Sequence, residues 1–377
     1  FKNSNIQFIW QRNNRWFKQL RQFSIRMIAG ANISTIIILF LIGFSDHLHP
    51  ERFAMLSNVG LLFPVFLFIN LGFLVFWLIF KVRYALIPFM GFIICYVPVR
   101  EYIPFNIPHE APEGSIKILS YNTWAFAEGE MGEDGINPIV KYIKEQNADI
   151  VCLQEVGHNG DVENQLDSLL YPMYAYRDTT WHSGGGDVVG ILSKYPILSK
   201  ERIPYESAGN LSVAYQLEIN HEKVLLINNH LETTGLTLEE RAQFKQLIKG
   251  KLETDTAEIT SKLLVVKLGE ATRKRASQAE AVADYIRQHR DKSIILCGDF
   301  NDGPISYTHR TIADGLTDCY VASGNGPGIS YHHAGFFVRI DNIMCSDDWE
   351  PYGCKIDRKI SSSDHYPIVC YLKKRDK

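Results

Sequence analysis

Apolar positions are concentrated in the first hundred residues, in three stretches at about residues 27–44, 57–80 and 84–99. The second stretch contains no charged residue and is long enough to cross the hydrocarbon core of a bilayer, at about 1.5 Å per residue. The third is shorter and contains Pro88 and Pro98, which makes it the weakest candidate. The pattern predicts an N-terminal membrane region, residues 1–100, with about three transmembrane helices.

Cationic residues predict the orientation of this region. The first loop contains only Arg52, whereas Lys81 and Arg83 follow the second stretch. The segment before the first stretch contains Lys2, Arg12, Arg15, Lys18, Arg21 and Arg26. Because cytoplasmic segments carry the excess of Lys and Arg, we expect a multi-pass protein of the cell (inner/plasma) membrane with its C-terminal part outside the cytoplasm. The orientation would invert if the third stretch did not cross.

The pattern changes after residue 100. Residues 101–114 are rich in proline and read as a linker, and residues 115–377 alternate strand-length apolar runs with helical patterns. The runs predict strands at 116–121, 149–154, 187–193, 211–219, 223–230, 293–297, 338–344 and 366–372, and helices at 136–146, 237–249 and 276–290. Residues 250–275 interrupt two helical patterns and remain an excursion of undefined structure. This alternation predicts a domain of the α/β or α+β class.

Composition narrows the possibilities only slightly. The formal net charge is −3 with 21% charged residues, which counts against a protein that coats nucleic acid. The seven cysteines show no CxxC spacing, and several lie inside apolar runs. We expect buried, unpaired thiols rather than a zinc site or a disulfide framework.

Polar side chains stand where several predicted strands begin or end. They are Asn122, Gln154 and Glu155, His230, Asp299 and Asn301, Asp341, and Asp364 with His365. Singly, most of them could cap a turn or be solvated, and "GDFNDGP" is dense in turn formers. Asp341 is harder to explain in that way, because a carboxylate between Ile340 and Ile343 needs a partner. Six strand ends with acid, amide or imidazole groups together indicate a site.

The chemistry of this set suits metal-assisted hydrolysis of a phosphoester. Carboxylate and amide oxygens are the ligands that Mg²⁺ prefers, with Mn²⁺ as the alternative cation. A histidine held by a carboxylate can activate water, and a second can donate a proton to phosphate. The absence of an HxxxH or Cys/His cluster argues against zinc.

The motifs "SYNTW", "LQEV", "GILSKYPI", "NNHLE", "GDFND", "RIDNI" and "SDHYPI", in this order, resemble the endonuclease/exonuclease/phosphatase superfamily. The resemblance covers about residues 115–375 and points to a membrane-anchored, bacterial-type member. It implies a four-layered αββα sandwich, in which two packed mixed β-sheets are flanked by helices, after an N-terminal helical transmembrane region.

The resemblance also implies roles. Glu155 would be the main metal-binding residue, with Asn122 supporting metal or phosphate and Asp364 assisting. Asp299 and Asn301 would orient water and phosphate. His365 would be the catalytic histidine paired with Asp341, and His230 a second histidine that donates a proton or stabilises phosphate. The "GGGDVVGILSKYPI" segment would be structural.

Two departures separate the chain from abasic-site endonucleases. Trp124 stands where those enzymes carry an acid, and His230 where they carry a tyrosine. Residues 332, 333, 336 and 337 (His, His, Phe, Phe) could line the substrate mouth or simply pack on the core. Arg273 or Arg275 could hold phosphate, although a solvated helix start is the simpler interpretation.

Three hypotheses remain at this stage. The first is a membrane-anchored, Mg²⁺-dependent phosphohydrolase, most simply a phosphodiesterase, acting on an extracytoplasmic phosphoester such as a lipid head group. The second is an anchored nuclease of the same superfamily, and the third is an inactive scaffold or receptor. The sequence identifies neither the substrate nor the oligomeric state.

Overall fold

A computed structural model describes residues 2–157, 160–182, 186–333 and 335–375. The chain forms two compact units. The first consists of residues 1–44 and 61–99, and the second of residues 45–60 and 100–377. The loop between the first two apolar helices therefore belongs to the second unit.

The N-terminal helices are α1 (Lys2–Gly43), α2 (Pro50–Phe53), α3 (Phe63–Phe80), α4 (Leu86–Ile94) and α5 (Tyr96–Tyr102). Among the described residues, two helical segments are long and apolar enough to cross a membrane, at Trp16–His47 and Val59–Phe80. A third candidate is bent by 72° between Val82–Ile94 and Tyr96–Tyr102. Pro98 explains the break, because it cannot donate a hydrogen bond to the carbonyl of Ile94.

Polar side chains join α1 to α3 inside the first unit. The Asn32 amide donates to Asn70 Oδ1 at 3.2 Å, and the Trp77 indole donates to Asn32 Oδ1 at 3.2 Å. Asn70 also donates to the Thr35 carbonyl at 3.2 Å. Because unpaired polar groups are costly in an apolar environment, this network favours close contact between the two helices.

The second unit contains two six-stranded sheets. The strands are β1 (Ile116–Asn122), β2 (Ile150–Gln154), β3 (Tyr176–Trp181), β4 (Val188–Ser193), β5 (Ile197–Ile203), β6 (Leu211–Ile219), β7 (Glu222–His230), β8 (Ser293–Asp299), β9 (Thr317–Asp318), β10 (Asp341–Cys345), β11 (Trp349–Ile356) and β12 (Ile368–Lys374). One sheet has the order β11-β12-β1-β2-β4-β3 and the other β5-β6-β7-β8-β10-β9. Only β1 with β2 and β7 with β8 pair in parallel among the described strands, so both sheets are mixed.

The helices of this unit complete four layers. They are α6 (Trp124–Glu128), α7 (Pro138–Gln146), α8 (Gly160–Gln165), α9 (Leu238–Ile248), α10 (Thr254–Gln288), α11 (Tyr307–Ile312) and α12 (Cys319–Ser323). Ile118 and Leu226 share the core between the sheets, while Leu119 packs with α7 and Ile227 with α10 on the outer faces. Central strands buried on both faces explain their nearly continuous apolar runs. The αββα sandwich, preceded by apolar helices, is confirmed.

Several element predictions need correction. α10 begins at Thr254, so most of the undefined segment 250–275 is helix. The strand predicted at 338–344 begins at Asp341, and β3, β5, β9 and β11 were not predicted. All seven cysteines are free and buried, as expected.

Candidate active site

The two parallel strand pairs place four polar side chains at neighbouring strand ends. Asn122 ends β1 opposite Gln154, and Glu155 follows β2 directly. His230 ends β7 opposite Asp299, the last residue of β8. Because parallel strands end at the same edge of a sheet, each pair presents two functional residues side by side.

Unusual backbone conformations shape these strand ends. Gly298 has φ 131°, and an added Cβ would lie 2.0 Å from the Asn229 carbonyl oxygen, so glycine is required immediately before Asp299. Glu155 and Asn301 follow their strands with φ 52° and 51°. The left-handed region costs roughly 1–2 kcal/mol for an ordinary residue such as Glu155. Strained backbone of this kind concentrates at functional sites.

The first of two carboxylate–histidine pairs joins Asp341 to His365. Asp341 Oδ2 lies 2.8 Å from His365 Nδ1, and both side chains are buried. The hydroxyl of Ser330 accepts from the Asp341 amide, and that of Ser363 accepts from the His365 amide. β10 pairs antiparallel with β8, which places Asp341 directly opposite Asp299. The partner that the sequence required for the Asp341 carboxylate is therefore His365.

The second pair joins His230 to Asp187, an aspartate that was not predicted from the sequence. The carboxylate of Asp187 contacts His230 Nδ1, and the histidine is buried. Asp187 stands just before β4, in the "GGGDVVG" stretch to which the sequence assigns only a structural role. The only signal was a carboxylate preceding a fully buried strand, which is also a common turn pattern.

Both pairs converge on Asp299. Its Oδ2 atom lies 3.7 Å from His230 Nε2, 3.6 Å from His365 Nε2 and 3.2 Å from Asn122 Nδ2. The Asn122 amide also donates to Glu155 Oε1 at 3.0 Å, and His230 Nε2 lies 3.7 Å from the same Glu155 oxygen. Asn122 therefore bridges Glu155 and Asp299, while His230 Nε2 is equally distant from these two carboxylates and His365 Nε2 faces Asp299.

The electrostatics of the cluster favour positive charge. Burial lowers the pKa of His230, but Asp187, Asp299 and Glu155 outweigh it and raise that pKa to about 10. Burial likewise lowers the pKa of His365, and its neighbouring carboxylates raise it to about 10. Burial raises the pKa of Asp299 to about 6, although both histidines oppose that shift. The protein concentrates buried carboxylates where a cation would be stabilised.

The donor atoms fit a divalent cation. Among the described residues, Asp299, Asp341 and His365 offer ligand atoms that all lie within 4.8 Å of one another. Asp341 Oδ1 is buried without a hydrogen-bond partner in the described part of the chain. Unpaired buried polar atoms are uncommon unless an ion, water or ligand satisfies them. The cluster therefore has both the negative charge and an unpaired ligand atom that a bound cation requires.

The remaining predicted residues lie near the cluster with other partners. Asn301 donates its backbone amide to Asp299 Oδ1 at 2.7 Å and its side-chain amide to the Leu231 carbonyl at 3.0 Å. Asp364 Oδ2 lies 3.9 Å from His333 Nδ1, and its Oδ1 atom accepts from the Ser363 hydroxyl at 3.5 Å.

Arg275 does not offer its guanidinium to substrate. Its side chain is buried, contacts Asp302 at 3.4 Å and donates to the Glu232 carbonyl at 3.1 Å. It lies within α10 rather than at a helix start. Asp302, in the turn-forming "GDFNDGP" stretch, also accepts from the Thr308 hydroxyl at 2.9 Å.

An aromatic side chain packs against His365. The ring of Tyr331, which was not predicted, meets the His365 imidazole edge to face at 5.0 Å between centroids. The Arg241 guanidinium donates to the Tyr331 hydroxyl at 3.4 Å, and Phe336 stacks on Phe244 at 4.2 Å. Residues of α9 therefore contact the segment beside the active site.

This combination of fold and buried carboxylate–histidine cluster defines a phosphoesterase or nuclease class of protein.

Family comparison agrees with this class. The model of the endonuclease/exonuclease/phosphatase family matches residues 119–365, well over half of the chain. The chain belongs to this family, whose members are generally divalent-metal-dependent hydrolases of phosphoesters. A second model, for a domain of unknown function (DUF8431), matches residues 25–102. A search of curated proteins found no match.

Solved structures resemble the chain in fold. Humanized D. rerio TDP2 is 16% identical, with a TM-score of 0.46, covering 69% of this chain and 99% of that one. The human Nocturnin catalytic domain with bound sulfate anion is 16% identical, with a TM-score of 0.46, covering 69% and 94%. A family protein from Bacteroides thetaiotaomicron is 15% identical, with a TM-score of 0.45, covering 68% and 94%.

Proposed function

We propose that the protein is a membrane-anchored, Mg²⁺-dependent phosphodiesterase that acts outside the cytoplasm. One observation carries this proposal: two carboxylate-held histidines turn their Nε2 atoms towards Asp299 Oδ2, at 3.6 and 3.7 Å. A structural histidine needs one partner, whereas two converging imidazoles surrounded by carboxylates suit the transfer of protons at an anionic substrate.

Glu155 is the residue best suited to hold the cation. Its side chain is 34% exposed, whereas those of Asp299 and Asp341 are 1% exposed. Mg²⁺ binds through one or two carboxylates and keeps several waters, so it favours the accessible carboxylate, with Mn²⁺ as an alternative. Asn122 Oδ1 accepts from the Trp124 amide at 3.1 Å and retains a second lone pair for the cation. When bound, the cation supplies charge that stabilises the phosphate as negative charge develops.

His365 is the proposed general base. Its Nδ1 faces Asp341, which holds the ring in one orientation and leaves Nε2 towards the cluster centre. A cation bound beside these carboxylates would offset their charge and lower the raised pKa of His365, so that its neutral Nε2 atom can accept a proton from the attacking water. Asp299 and Asn301 would orient that water and the phosphate.

His230 is the proposed proton donor. Asp187 fixes its Nδ1, and its Nε2 faces both Glu155 and Asp299. A histidine held by a buried carboxylate is stabilised as imidazolium and can donate its Nε2 proton to the leaving group or to a phosphate oxygen. Asp364 would assist in binding the cation.

The contacts of the first loop support an extracytoplasmic location. Residues 45–60 lie between two helices that could cross a membrane, yet they belong to the unit that carries the site. The loop and the catalytic unit must then share one side of the membrane, which requires the bent segment Val82–Tyr102 to cross. With the cationic N-terminal segment inside, that side is outside the cytoplasm.

A substrate panel tests the activity. The full chain in detergent would be assayed on bis-p-nitrophenyl phosphate, plasmid DNA and phospholipid vesicles, each with Mg²⁺ and with EDTA. We expect cleavage of the small diester with Mg²⁺, loss of activity in EDTA, and strong impairment in Glu155→Gln. DNA cleavage without small-diester or lipid cleavage would favour an anchored nuclease, and an inert protein on the whole panel would overturn the proposal.

A further inference from the structure

The first half of α10 carries an apolar stripe that no described part of the chain covers. Ile259, Leu263 and Val266 recur at i, i+4 and i+7, and their exposed fractions are 67%, 38% and 56%. From Thr254 to residue 270, only Thr260 and Gly269 of the described helix are buried. The second half packs on the sheet instead. The stripe therefore does not serve the core.

α10 contacts the loop that joins the two apolar helices. Gly269 lies against Ala54, so that a Cβ added at Gly269 would be 3.6 Å from the Ala54 Cβ. Thr272 donates to Asn58 Oδ1 at 2.8 Å. Asn58 immediately precedes Val59, where the second candidate membrane span begins. The middle of α10 is thus tied to a loop whose two ends are the ends of membrane spans.

The apolar stripe lies close to the contact between α10 and the loop. Six residues separate Val266 from Thr272, about 9 Å along a helix. The loop itself exposes Phe53, Met55 and Leu56, whose exposed fractions are 46%, 70% and 52%. Exposed apolar side chains thus occur on both contacting elements, next to the point where the chain enters an apolar environment.

The charge of this region excludes a mainly electrostatic partner. Residues 238–270 contain six Lys or Arg and six Asp or Glu residues, so their formal charge cancels. An uncharged region with an apolar stripe fits the interfacial zone of a bilayer, where binding scales with buried apolar area. Such contact should depend little on salt concentration.

Helices α9 and α10, together called the α9–α10 hairpin, connect the stripe to the active site. Arg241 of α9 contacts Tyr331, whose ring lies against His365. Lys267 of α10 binds Glu240 of α9 at 2.6 Å and so ties the two helices together.

We infer that the α9–α10 hairpin rests in the lipid interface through Ile259, Leu263 and Val266, so that the site opens towards lipid head groups. The inference rests on the proposed function and specifies its substrate class as a phosphoester of a membrane lipid.

Site-specific labelling tests the contact without reference to activity. Because all seven native cysteines are buried, Ile259→Cys and Val266→Cys in the full chain can carry an environment-sensitive fluorophore. In phosphatidylcholine nanodiscs, we expect a blue shift of emission and a loss of fluorescence when the lipid carries a doxyl quencher near its head group. The loss should persist in high salt.

Asp284→Cys supplies the control. Asp284 is exposed on the same helix, about 27 Å along its axis from Val266. We expect no quenching there. Equal quenching at all three positions, or no quenching at 259 and 266, would overturn the inference. A blue shift at 259 and 266 without quenching by doxyl lipid would also overturn it, because protein rather than lipid would then cover the stripe.

Activity separates this inference from the proposed function. The double variant Ile259→Ser/Val266→Ser should hydrolyse bis-p-nitrophenyl phosphate as wild type does, and lose most turnover of phosphatidylethanolamine/phosphatidylglycerol vesicles. If the wild-type protein cleaved bis-p-nitrophenyl phosphate but no lipid, the inferred substrate class would be wrong and the proposed phosphodiesterase activity would stand. If the wild-type protein cleaved neither substrate, the proposed function would be wrong, and the quenching experiment would still test the membrane contact.

Discussion

At the residue scale, the site depends on two histidines whose Nδ1 atoms are held by carboxylates. Asp341 was recognisable from the sequence, because an acid inside an apolar run needs a partner. Asp187 was not, because nothing in the sequence brings it to His230. Asp187 precedes β4 in one sheet and His230 ends β7 in the other, so the packing of the two sheets brings them together.

Replacing Asp187 tests its role as a positioning residue. Asp187→Asn keeps the size of the side chain but removes the charge that raises the pKa of His230. We expect kcat for bis-p-nitrophenyl phosphate to fall by about 10- to 100-fold, the usual effect of losing a carboxylate that orients a site histidine. The pH dependence of kcat should also shift on its alkaline side, because imidazolium at position 230 would lose its proton at lower pH.

Asp134→Asn is the matched control. Asp134 forms an exposed ion pair with Lys141, and its replacement should leave kcat and its pH profile unchanged. An Asp187→Asn enzyme with wild-type kcat and pH profile would show that Asp187 is structural only.

A buried ion pair away from the active site makes the fold sensitive to acid. Burial alone would raise the pKa of Asp318, but the hydrogen bond from His309 and the charge of Arg339 outweigh it and lower that pKa. A lowered pKa in the folded protein stabilises the fold above the ordinary value of about 3.9. That contribution is lost as the pH falls through the lower, folded-state pKa.

Comparison of Tm measures this effect. We expect Asp318→Asn to have a lower Tm than wild type at pH 7, and the difference should shrink below about pH 4. Asp314→Asn, at an exposed position, should match wild type throughout. A difference that is constant from pH 7 to pH 3 would contradict the assignment.

At the element scale, the predictable parts of the fold are those with strong burial. β1, β2, β7 and β8 are buried on both faces, so their apolar runs gave both their positions and their functional ends. β3 has only exposed and half-buried positions, and β5 has four exposed positions in succession, so neither strand has the buried apolar run that signals a strand. The first half of α10 was missed because most of its residues are exposed, so that burial does not select a helical pattern there.

The loop at residues 45–60 gives an element-scale test of topology. Glu51→Cys in the loop and Asp284→Cys in α10 should both react with a membrane-impermeant maleimide in intact spheroplasts. Lys18→Cys should react only after permeabilisation, because the N-terminal segment is expected inside. All three positions are exposed and the native cysteines are buried. Labelling of positions 51 and 284 from opposite sides, or of both only after permeabilisation, would contradict the three-span arrangement.

At the scale of the whole molecule, the order of motifs along the chain was sufficient to predict the sandwich, but the residues predicted for the site did not include Asp187 or Tyr331. Local sequence could not predict distances between residues more than a hundred positions apart, such as Asn122 and Asp299 at 3.2 Å. Nor could it show that α9 reaches Tyr331 or that Arg275 is buried against Asp302. These facts depend on how sheets and helices pack, which short-range patterns do not encode.

The assembly of the site is tested most directly by kcat for bis-p-nitrophenyl phosphate as a function of Mg²⁺ concentration. We predict that Glu155→Gln requires much more Mg²⁺ to reach its maximal rate, because it lacks the accessible carboxylate. His365→Ala should show near wild-type Mg²⁺ dependence but a kcat lower by about 100-fold or more, the usual contribution of a general base. Wild-type kcat and Mg²⁺ dependence in both variants, with the fold intact, would contradict the account.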